Sequence, residues 1–199
     1  MSLDMRVIVG ITGATGVIYG IRLLERLRDA DVETHLVISR WGGRTMLHET
    51  PYSREQVEAL AHVAYAPSDM GAAISSGSFQ TAGMIIAPCS AKTLAAIAHG
   101  YGDSLIHRAA DVVLKERRRL VLAVREAPLS DIHLENMLKL SRMGAVILPP
   151  VPAFYNNPSS IDEIVDHTVA RLLDQFGVEV PGAPRWAGEM GVGGVRGED

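Results

Sequence analysis

The stretch that decides the fold reads Val121-Leu122-Ala123-Val124-Arg125-Glu126-Ala127-Pro128-Leu129. The apolar run over residues 120–124 is short, rich in β-favouring residues and free of polar alternation, which is typical of a strand buried on both faces of a parallel sheet. Pro128 disfavours a regular continuation of this strand. Arg125 and Glu126 are therefore expected at the carboxyl end of a central strand, and this edge of an open α/β sheet is where ligands bind.

Similar apolar runs alternate with helical repeats along the rest of the chain. Strands are predicted over residues 6–11, 34–38, 83–87 and 145–148, and Pro88 is expected to end the third of these. Helices are predicted over residues 17–27, 40–49, 53–61, 91–98, 104–117, 132–141 and 161–176. Strands that alternate with helices indicate an α/β fold of three layers, in which helices cover both faces of a central parallel sheet.

The length of 199 residues predicts one domain, residues 1–180, followed by a C-terminal arm. The arm, residues 181–199, is rich in Gly and Pro and poor in large apolar side chains, so we expect it to be partly disordered. Trp186 is the exception within the arm. We expect this aromatic side chain to dock against the body of the protein or a neighbouring subunit.

The composition is that of an ordinary globular protein, with 47% hydrophobic and 21% charged residues. A net charge of −4 disfavours nucleic acid as a partner. Cys89 is the single cysteine, which excludes a disulfide framework and fits a reducing compartment. The start of the chain lacks a signal-peptide pattern and no apolar run reaches the roughly 18 residues of a membrane helix, so we expect a cytoplasmic protein without a membrane partner. The seven histidines lack the spacing of metal ligands, and we expect no metal.

The first strand leads into a tight turn, Thr12-Gly13-Ala14-Thr15-Gly16, and then into a helix. Glycines allow a ligand to approach the backbone closely, and a helix start offers N–H groups to an anion, although a turn without a ligand is the simpler alternative. Tyr19 stands where the dinucleotide fingerprint has a small residue, and the second strand ends in Ser39-Arg40 without an acid for a ribose hydroxyl. A mononucleotide with a single phosphate therefore fits better than a nicotinamide dinucleotide.

A second turn, Pro88-Cys89-Ser90-Ala91-Lys92-Thr93, follows another buried strand and opens a helix. Ser90 is a natural N-cap, and a capped helix without a ligand is the simpler alternative. In the functional interpretation, the hydroxyls and N–H groups contact a phosphate or a ring at the same sheet edge. Cys89 has no histidine paired with it in the sequence pattern, and we interpret it as a packed residue rather than a nucleophile.

Three further segments carry charged or aromatic groups. Arg108, Asp111 and Lys115 share one helix face, which is either a solvated surface or the lining of a pocket or a subunit contact. The proline-rich segment 149–158 is stiff and suited to holding Tyr155 over a ligand, unless it is only a packed connector. Arg171 lies among apolar residues of the last helix, where an arginine that extends its charged end into solvent is the simpler interpretation.

In this order, the segments resemble the flavin prenyltransferases, the UbiX-like family, which includes small subunits associated with hydroxyarylic acid decarboxylases. The resemblance extends over residues 5–186. Its matching blocks are residues 10–16, 33–39, 74–79, 88–94, 108–117, 125–129, 133–137 and 152–155. Together these blocks are far more specific than any single motif.

The resemblance implies a Rossmann-like, flavodoxin-related fold that binds FMN without a metal. It also implies a reaction in which the dimethylallyl group of dimethylallyl phosphate is joined to N5 and C6 of reduced FMN. The product, prenylated FMN, is handed to a partner decarboxylase of the UbiD type. Members of the family commonly assemble as homododecamers with sites between subunits.

Site residues follow from the same resemblance, position by position. The residues implied to bind FMN are Gly13, Ala14, Thr15, Ser39, Ser90, Ala91, Lys92, Thr93 and Arg125. The residues implied to hold dimethylallyl phosphate are Tyr155, Arg171, Trp186 and Lys115, the last from a neighbouring subunit. Many members have Ser at the position of Thr15, so the hydroxyl is kept and a methyl group is added.

The implied chemistry gives four residues a catalytic part. Lys115 and the Tyr155 hydroxyl neutralise and orient the departing phosphate, while Thr15 lies near it. Glu126 is the candidate for accepting the proton lost on ring closure, with the phosphate itself as the competitor. The main alternative is an FMN-binding accessory subunit of a hydroxyarylic acid decarboxylase without turnover of its own. Direct flavin-dependent decarboxylation is a further alternative.

Overall fold

The computed structural model describes residues 5–186. Within this part of the chain, six parallel strands form one sheet in the order β3-β2-β1-β4-β5-β6. The strands are β1 (Arg6–Ile11), β2 (Glu33–Ile38), β3 (Val63–Tyr65), β4 (Gly83–Cys89), β5 (Arg119–Val124) and β6 (Val146–Ile147). This is the doubly wound nucleotide-binding order, in which the chain reverses direction across the sheet between β1 and β4.

Helices cover both faces of the sheet in the described residues. They are α1 (Val17–Asp29), α2 (Arg40–Glu49), α3 (Arg54–Glu58), α4 (Ala91–Ala98), α5 (Leu105–Lys115), α6 (Asp131–Arg142) and α7 (Ile161–Asp174). Short 3₁₀ turns lie at Ala73–Ser75 and Phe154–Asn156. The predicted three-layer α/β fold with a central parallel sheet is therefore confirmed.

The core consists of two apolar layers, because successive side chains of a strand point to opposite faces of the sheet. Val9 of β1 belongs to the layer that includes Leu24 of α1 and Val169 of α7. Ile8, its neighbour in β1, belongs to the opposite layer, which includes Leu94 of α4 and many residues of α5. Burial on both sides explains why the central strands are continuously apolar.

The structure differs from the sequence prediction at three strands, one of which is β6, where Val146–Ile147 replaces the predicted strand 145–148. Strand β3, at the edge of the sheet, is only three residues long and partly exposed, and no apolar run predicted it. The prediction that Pro88 ends β4 is wrong, because the strand continues to Cys89. The register with β5 shifts between Ile86 and Cys89, and at such an irregularity a proline does not interrupt a regular ladder.

The predicted helix over 53–61 is shorter in the structure. Its start is as expected, since Ser53 and Gln56 form a reciprocal capping box, but α3 ends at Glu58. Of the predicted C-terminal arm, residues 181–186 are described, and residues 187–199 lie outside the described part of the chain. None of the helices within residues 5–186 combines the length and the apolar character that crossing a membrane requires.

Candidate active site

The turns that follow β1 and β4 are joined by Thr12. Its hydroxyl donates a hydrogen bond to the carbonyl of Pro88 and accepts one from the N–H of Ser90, both at 2.8 Å. Thr12 is only 1% exposed. Because these two strands flank the point where the strand order reverses, this bond fixes the two turns at the edge where ligands bind in such sheets.

The turn after β1 is closely packed against the first turn of α2. A Cβ atom added to Gly13 would lie 2.4 Å from the Cβ of Trp41, so no other residue fits here without movement. Gly16 has a φ of 92°, a conformation that favours glycine. Close packing at Gly13 and the positive φ at Gly16 explain why the motif has glycine at these two positions.

The carboxylate of Glu49, at the end of α2, caps the N-terminus of α1. This carboxylate accepts hydrogen bonds from the backbone N–H groups of Gly16, at 2.8 Å, and Val17, at 3.2 Å. These are two of the N–H groups that the sequence analysis offered to a ligand anion, and in this structure a protein carboxylate holds them. The sequence analysis did not identify Glu49, because the contact spans more than thirty residues of chain.

Two other helix starts, those of α2 and α4, are capped by predicted FMN contacts. The Ser39 hydroxyl accepts a hydrogen bond from the N–H of Gly42 at 2.9 Å, and the Ser90 hydroxyl accepts one from the N–H of Thr93 at 3.3 Å. The Ser90 hydroxyl also donates to the Thr93 hydroxyl at 3.1 Å. The first N–H groups of a helix have no partners inside the helix, so the N-terminus of α2 and the N-terminus of α4 can each bind an anion.

A cleft of about 630 Å³ lies between these two helix starts. Seven of the predicted site residues line it, namely Gly13, Ser39, Ser90, Ala91, Lys92, Thr93 and Glu126. Its volume falls in the range of about 300–1,000 Å³ that is typical of small-molecule sites. Hydroxyls and helix N-termini suit a phosphate, and the Trp41 and Ile106 side chains add apolar surface for a ring. The residues present therefore fit a flavin mononucleotide.

Other lining residues were not identified from the sequence. They are Arg40, Trp41, Pro67, Ser68, Asp103, Ser104, Ile106 and His107. Arg40 and Trp41 directly follow Ser39, and the position of Ser39 at a strand end was a signal that could have found them. The remaining six come from the segment after β3, the residues just before α5 and the first turn of α5, which only the tertiary structure brings to the cleft.

Charged groups at the rim of the cleft form a short chain. Lys92 Nζ lies 3.8 Å from an Asp103 carboxylate oxygen, and the other oxygen lies 2.8 Å from Nδ1 of His107. His107 is 6% exposed, and its burial lowers the pKa of the imidazole despite the nearby carboxylate. The ring is therefore neutral at neutral pH, and Lys92 remains the cation of this group.

The two residues at the end of β5 lie as the sequence predicted, at the carboxyl edge of the sheet. The backbone N–H of Arg125 donates to the Cys89 carbonyl at 3.0 Å, and its side chain is exposed. The Glu126 side chain lines the cleft and accepts a hydrogen bond from the N–H of Ala127 at 3.1 Å.

Burial raises the pKa of the Cys89 thiol to about 12, which agrees with a packed residue rather than a nucleophile.

The residues predicted to hold the prenyl donor form a second group around α7. The Tyr155 ring contacts the Trp186 ring edge to face, with centroids 5.6 Å apart. Asp174 accepts hydrogen bonds from Arg171 at 2.6 Å and from Arg185 at 2.7 Å and 3.0 Å. Trp186 is thus docked on the body of the protein, next to the ion pairs that hold Arg185.

Lys115 lies apart from both groups. It is exposed at the end of α5, pairs with Glu116, and lies beside the loop at Gly77. Arg108 donates to the Ser75 carbonyl at 3.1 Å and anchors the start of that loop. Neither Lys115 nor Tyr155 lines the cleft, so a single chain does not bring all predicted site residues together. Ala14, Thr15 and Arg125 also lie outside the cleft lining, within two residues of Gly13 or Glu126, which form it.

Comparison with known proteins relates these features to a family. The Flavoprotein family matches residues 1–173. A probable UbiX-like flavin prenyltransferase of Streptomyces sp. (strain D7) is 63% identical over 185 residues, covering 92% of each chain. The chain belongs to the UbiX-like flavin prenyltransferase family.

Two solved structures from this UbiX-like family extend the likeness to the fold. AnUbiX (PadA1), in complex with FMN and dimethylallyl pyrophosphate, has a TM-score of 0.92 and 53% identity, covering 94% of this chain and 99% of that one. A dodecameric FMN-dependent UbiX-like decarboxylase from Escherichia coli O157:H7 has a TM-score of 0.91 and 61% identity, covering 92% and 100%. The predicted family and fold class are both confirmed.

Proposed function

We propose that this protein is a flavin prenyltransferase that joins the dimethylallyl group of dimethylallyl phosphate to reduced FMN at N5 and C6. The observation that carries the proposal is a cleft suited to FMN in a chain that is 53% identical to a protein solved with FMN and dimethylallyl pyrophosphate. FMN supplies an electron-rich ring as the acceptor of the allyl group. The product is prenylated FMN, and phosphate leaves.

The FMN phosphate is proposed to bind between the N-termini of α2 and α4. Ser39, Ser90 and Thr93 provide hydroxyls there, and Lys92 provides a positive charge. The Gly13 turn packs on Trp41, which keeps the backbone of this region close to the ligand. With the phosphate bound in this way, we propose that the flavin ring lies toward the end of β5, where Arg125 and Glu126 lie.

The prenyl donor is proposed to bind at the Tyr155 group. Arg171 and the Tyr155 hydroxyl contact its phosphate, while Trp186 shields the allyl group from water. Lys115 is proposed to arrive from a neighbouring subunit, because it does not line the cleft of its own chain. The dodecameric relative supports such an assembly, and we propose a homododecamer here too.

Different residues are proposed to stabilise the departing phosphate and to accept the proton. When the allylic C–O bond breaks, its electron pair leaves with the phosphate, and Lys115, Arg171 and Tyr155 balance the developing negative charge. To balance the protons, the allyl double bond takes up one proton, equivalent to the one lost from N5, and ring closure then releases a proton from C6. Glu126, exposed at the cleft and at the end of β5, is proposed to accept it, and the departing phosphate is the competing base.

A partner and a cellular location complete the proposal. Prenylated FMN is proposed to pass to a decarboxylase of the UbiD type. A single buried cysteine is compatible with a reducing compartment, and we place the activity in the cytoplasm. The combination of Lys115, Glu126, Tyr155 and Arg171 favours turnover over the accessory-subunit alternative, because a mere flavin carrier needs few of these groups.

Phosphate release from dimethylallyl phosphate tests this function. We expect inorganic phosphate to appear only when protein, reduced FMN and the donor are combined without oxygen. Dimethylallyl pyrophosphate is assayed in parallel for release of pyrophosphate, its leaving group. Oxidised FMN is the matched control and should give no release. Absence of release with both donors would favour the accessory subunit, whereas carbon dioxide from an added aromatic acid would favour direct decarboxylation.

A further inference from the structure

His167 is a buried residue of α7 that the function described so far does not use. It is 8% exposed and contacts two consecutive residues of the 3₁₀ turn Phe154–Asn156. Its Nδ1 lies 3.0 Å from Nδ2 of Asn156, and its Nε2 lies 3.4 Å from the Tyr155 hydroxyl oxygen. The His167 and Tyr155 rings also pack edge to face, with centroids 5.8 Å apart.

The direction of these hydrogen bonds follows from the chemistry of the partners. The NH₂ group of an amide can only donate, so Nδ1 of His167 must accept from Asn156. In the neutral ring the proton is then on Nε2, and this N–H points to the Tyr155 oxygen. Burial lowers the pKa of His167, and Arg171 lowers it further, which favours the neutral ring that this arrangement requires.

The consequence concerns the proton of the Tyr155 hydroxyl. Because the oxygen of Tyr155 accepts from His167, its own O–H is directed away from the imidazole and is free to donate to another acceptor. A phosphate oxygen is such an acceptor. Trp186 packs on the same ring, and Arg171 lies one helical turn after His167, close enough for its charge to act on the imidazole.

We infer that His167 is a positioning residue for the prenyl donor, which fixes Tyr155 so that its hydroxyl donates to the donor phosphate. This inference rests on the proposed function, because it deepens the part assigned to Tyr155. His167 itself touches neither substrate. It acts through Tyr155, and its contribution therefore exists only while the Tyr155 hydroxyl is present.

The experiment compares His167→Phe, His167→Gln and Tyr155→Phe, together with the double variant His167→Phe/Tyr155→Phe. Phe keeps the ring that packs on Tyr155 and removes both nitrogens, while Gln keeps an N–H donor. Three quantities are measured for each protein loaded with FMN: the Kd for dimethylallyl phosphate by calorimetry, and the donor KM and kcat by phosphate release. His99→Phe is the matched control, since it removes a comparable histidine–asparagine hydrogen bond, to Asn136 at 3.0 Å, outside the proposed site.

We expect His167→Phe to raise the donor Kd and KM about five- to tenfold, the effect of one lost hydrogen bond, with FMN affinity within about twofold of the wild-type value. His167→Gln should recover part of this loss, and His99→Phe should leave the donor Kd unchanged. In the double variant the loss should equal that of Tyr155→Phe alone. Losses that multiply, or an unchanged donor Kd in His167→Phe, would overturn the inference. Donor binding without turnover in the wild-type protein would instead contradict the proposed function, and the Kd comparison would still decide on His167.

Discussion

The hydroxyl oxygen of Thr12 lies 2.8 Å from the backbone nitrogen of Ser90 and accepts its hydrogen bond. The same hydroxyl donates to the carbonyl of Pro88, so one buried side chain joins the ends of β1 and β4. The two turns that the sequence analysis treated as separate motifs are therefore one unit. Loss of the Thr12 hydrogen bonds would therefore let the start of α4 shift relative to the Gly13 turn.

Replacing Thr12 with Val should weaken both the fold and FMN binding. Val keeps the shape but leaves the buried Ser90 N–H without its partner, which costs about 1–3 kcal/mol. Thr12→Ser keeps the hydroxyl and should lose much less. Denaturant unfolding and titration of FMN fluorescence check both effects, and a Val variant with wild-type FMN affinity would show that the two turns bind independently.

Replacing Gly13 with Ala should weaken FMN binding about tenfold or more, because α2 must shift away from an added Cβ that would lie 2.4 Å from Trp41. Gly43→Ala is the matched control on the same helix, since its added Cβ would come no closer than 3.4 Å to the end of the Arg54 side chain. The control should keep its FMN affinity and gain stability, because Ala is the better helix former. Equal FMN affinity in the two variants would contradict the packing argument.

Asp174→Asn should lower the thermal stability in a pH-dependent way. The Arg185 guanidinium, with Arg171, holds the pKa of the Asp174 carboxyl below its usual range. A carboxyl group with a lowered folded-state pKa stabilises the protein above the unfolded pKa of about 3.9 and loses this contribution as the pH falls through the folded-state value. The carboxylate is 17% exposed but both arginines are about half exposed, so we expect only about 1 kcal/mol, or roughly 2–4 °C.

Melting curves at pH 7 and at a series of pH values below 4 check this sign. The difference between wild type and Asp174→Asn should be largest at pH 7 and should vanish in acid. Asp29→Asn is the control, because Asp29 is mostly exposed and lies 3.4 Å from Arg26. A difference that grows as the pH falls would contradict the assignment.

Glu126→Gln should slow turnover about 100-fold or more while FMN affinity stays near the wild-type value, because the amide cannot accept the proton of ring closure. Single-turnover measurements with reduced FMN and the donor separate this step from binding. Near-normal turnover would show that Glu126 does not accept the proton, and the departing phosphate would then be the base.

The central strands were predictable because burial on both faces leaves a continuous apolar run, as residues 120–124 illustrate. Strand β3 has no such run, since it has three residues at a partly exposed edge. Pro88 misled the prediction because a local rule for proline does not anticipate a register shift between neighbouring strands.

The candidate site was predictable where a residue stands next to a strand end, as Ser39, Ser90 and Glu126 do. Glu49 is not next to a strand end, and Thr12, which is, gives no sign in the sequence of its contacts with Pro88 and Ser90. The contacts of both residues join positions far apart in the chain, and Glu49 reaches Gly16 across 33 residues. A sequence pattern records neighbours along the chain, so these contacts become visible only in the tertiary structure.

The proposed transfer of the dimethylallyl group to FMN can be measured as a change in the mass of the flavin. Purified protein is mixed with reduced FMN and dimethylallyl phosphate without oxygen, the protein is removed, and the flavin is analysed by mass spectrometry, with dimethylallyl pyrophosphate as a second donor. We expect a flavin that is heavier by one five-carbon prenyl unit and that forms only with active protein. Recovery of FMN of unchanged mass with both donors would contradict the proposed transfer.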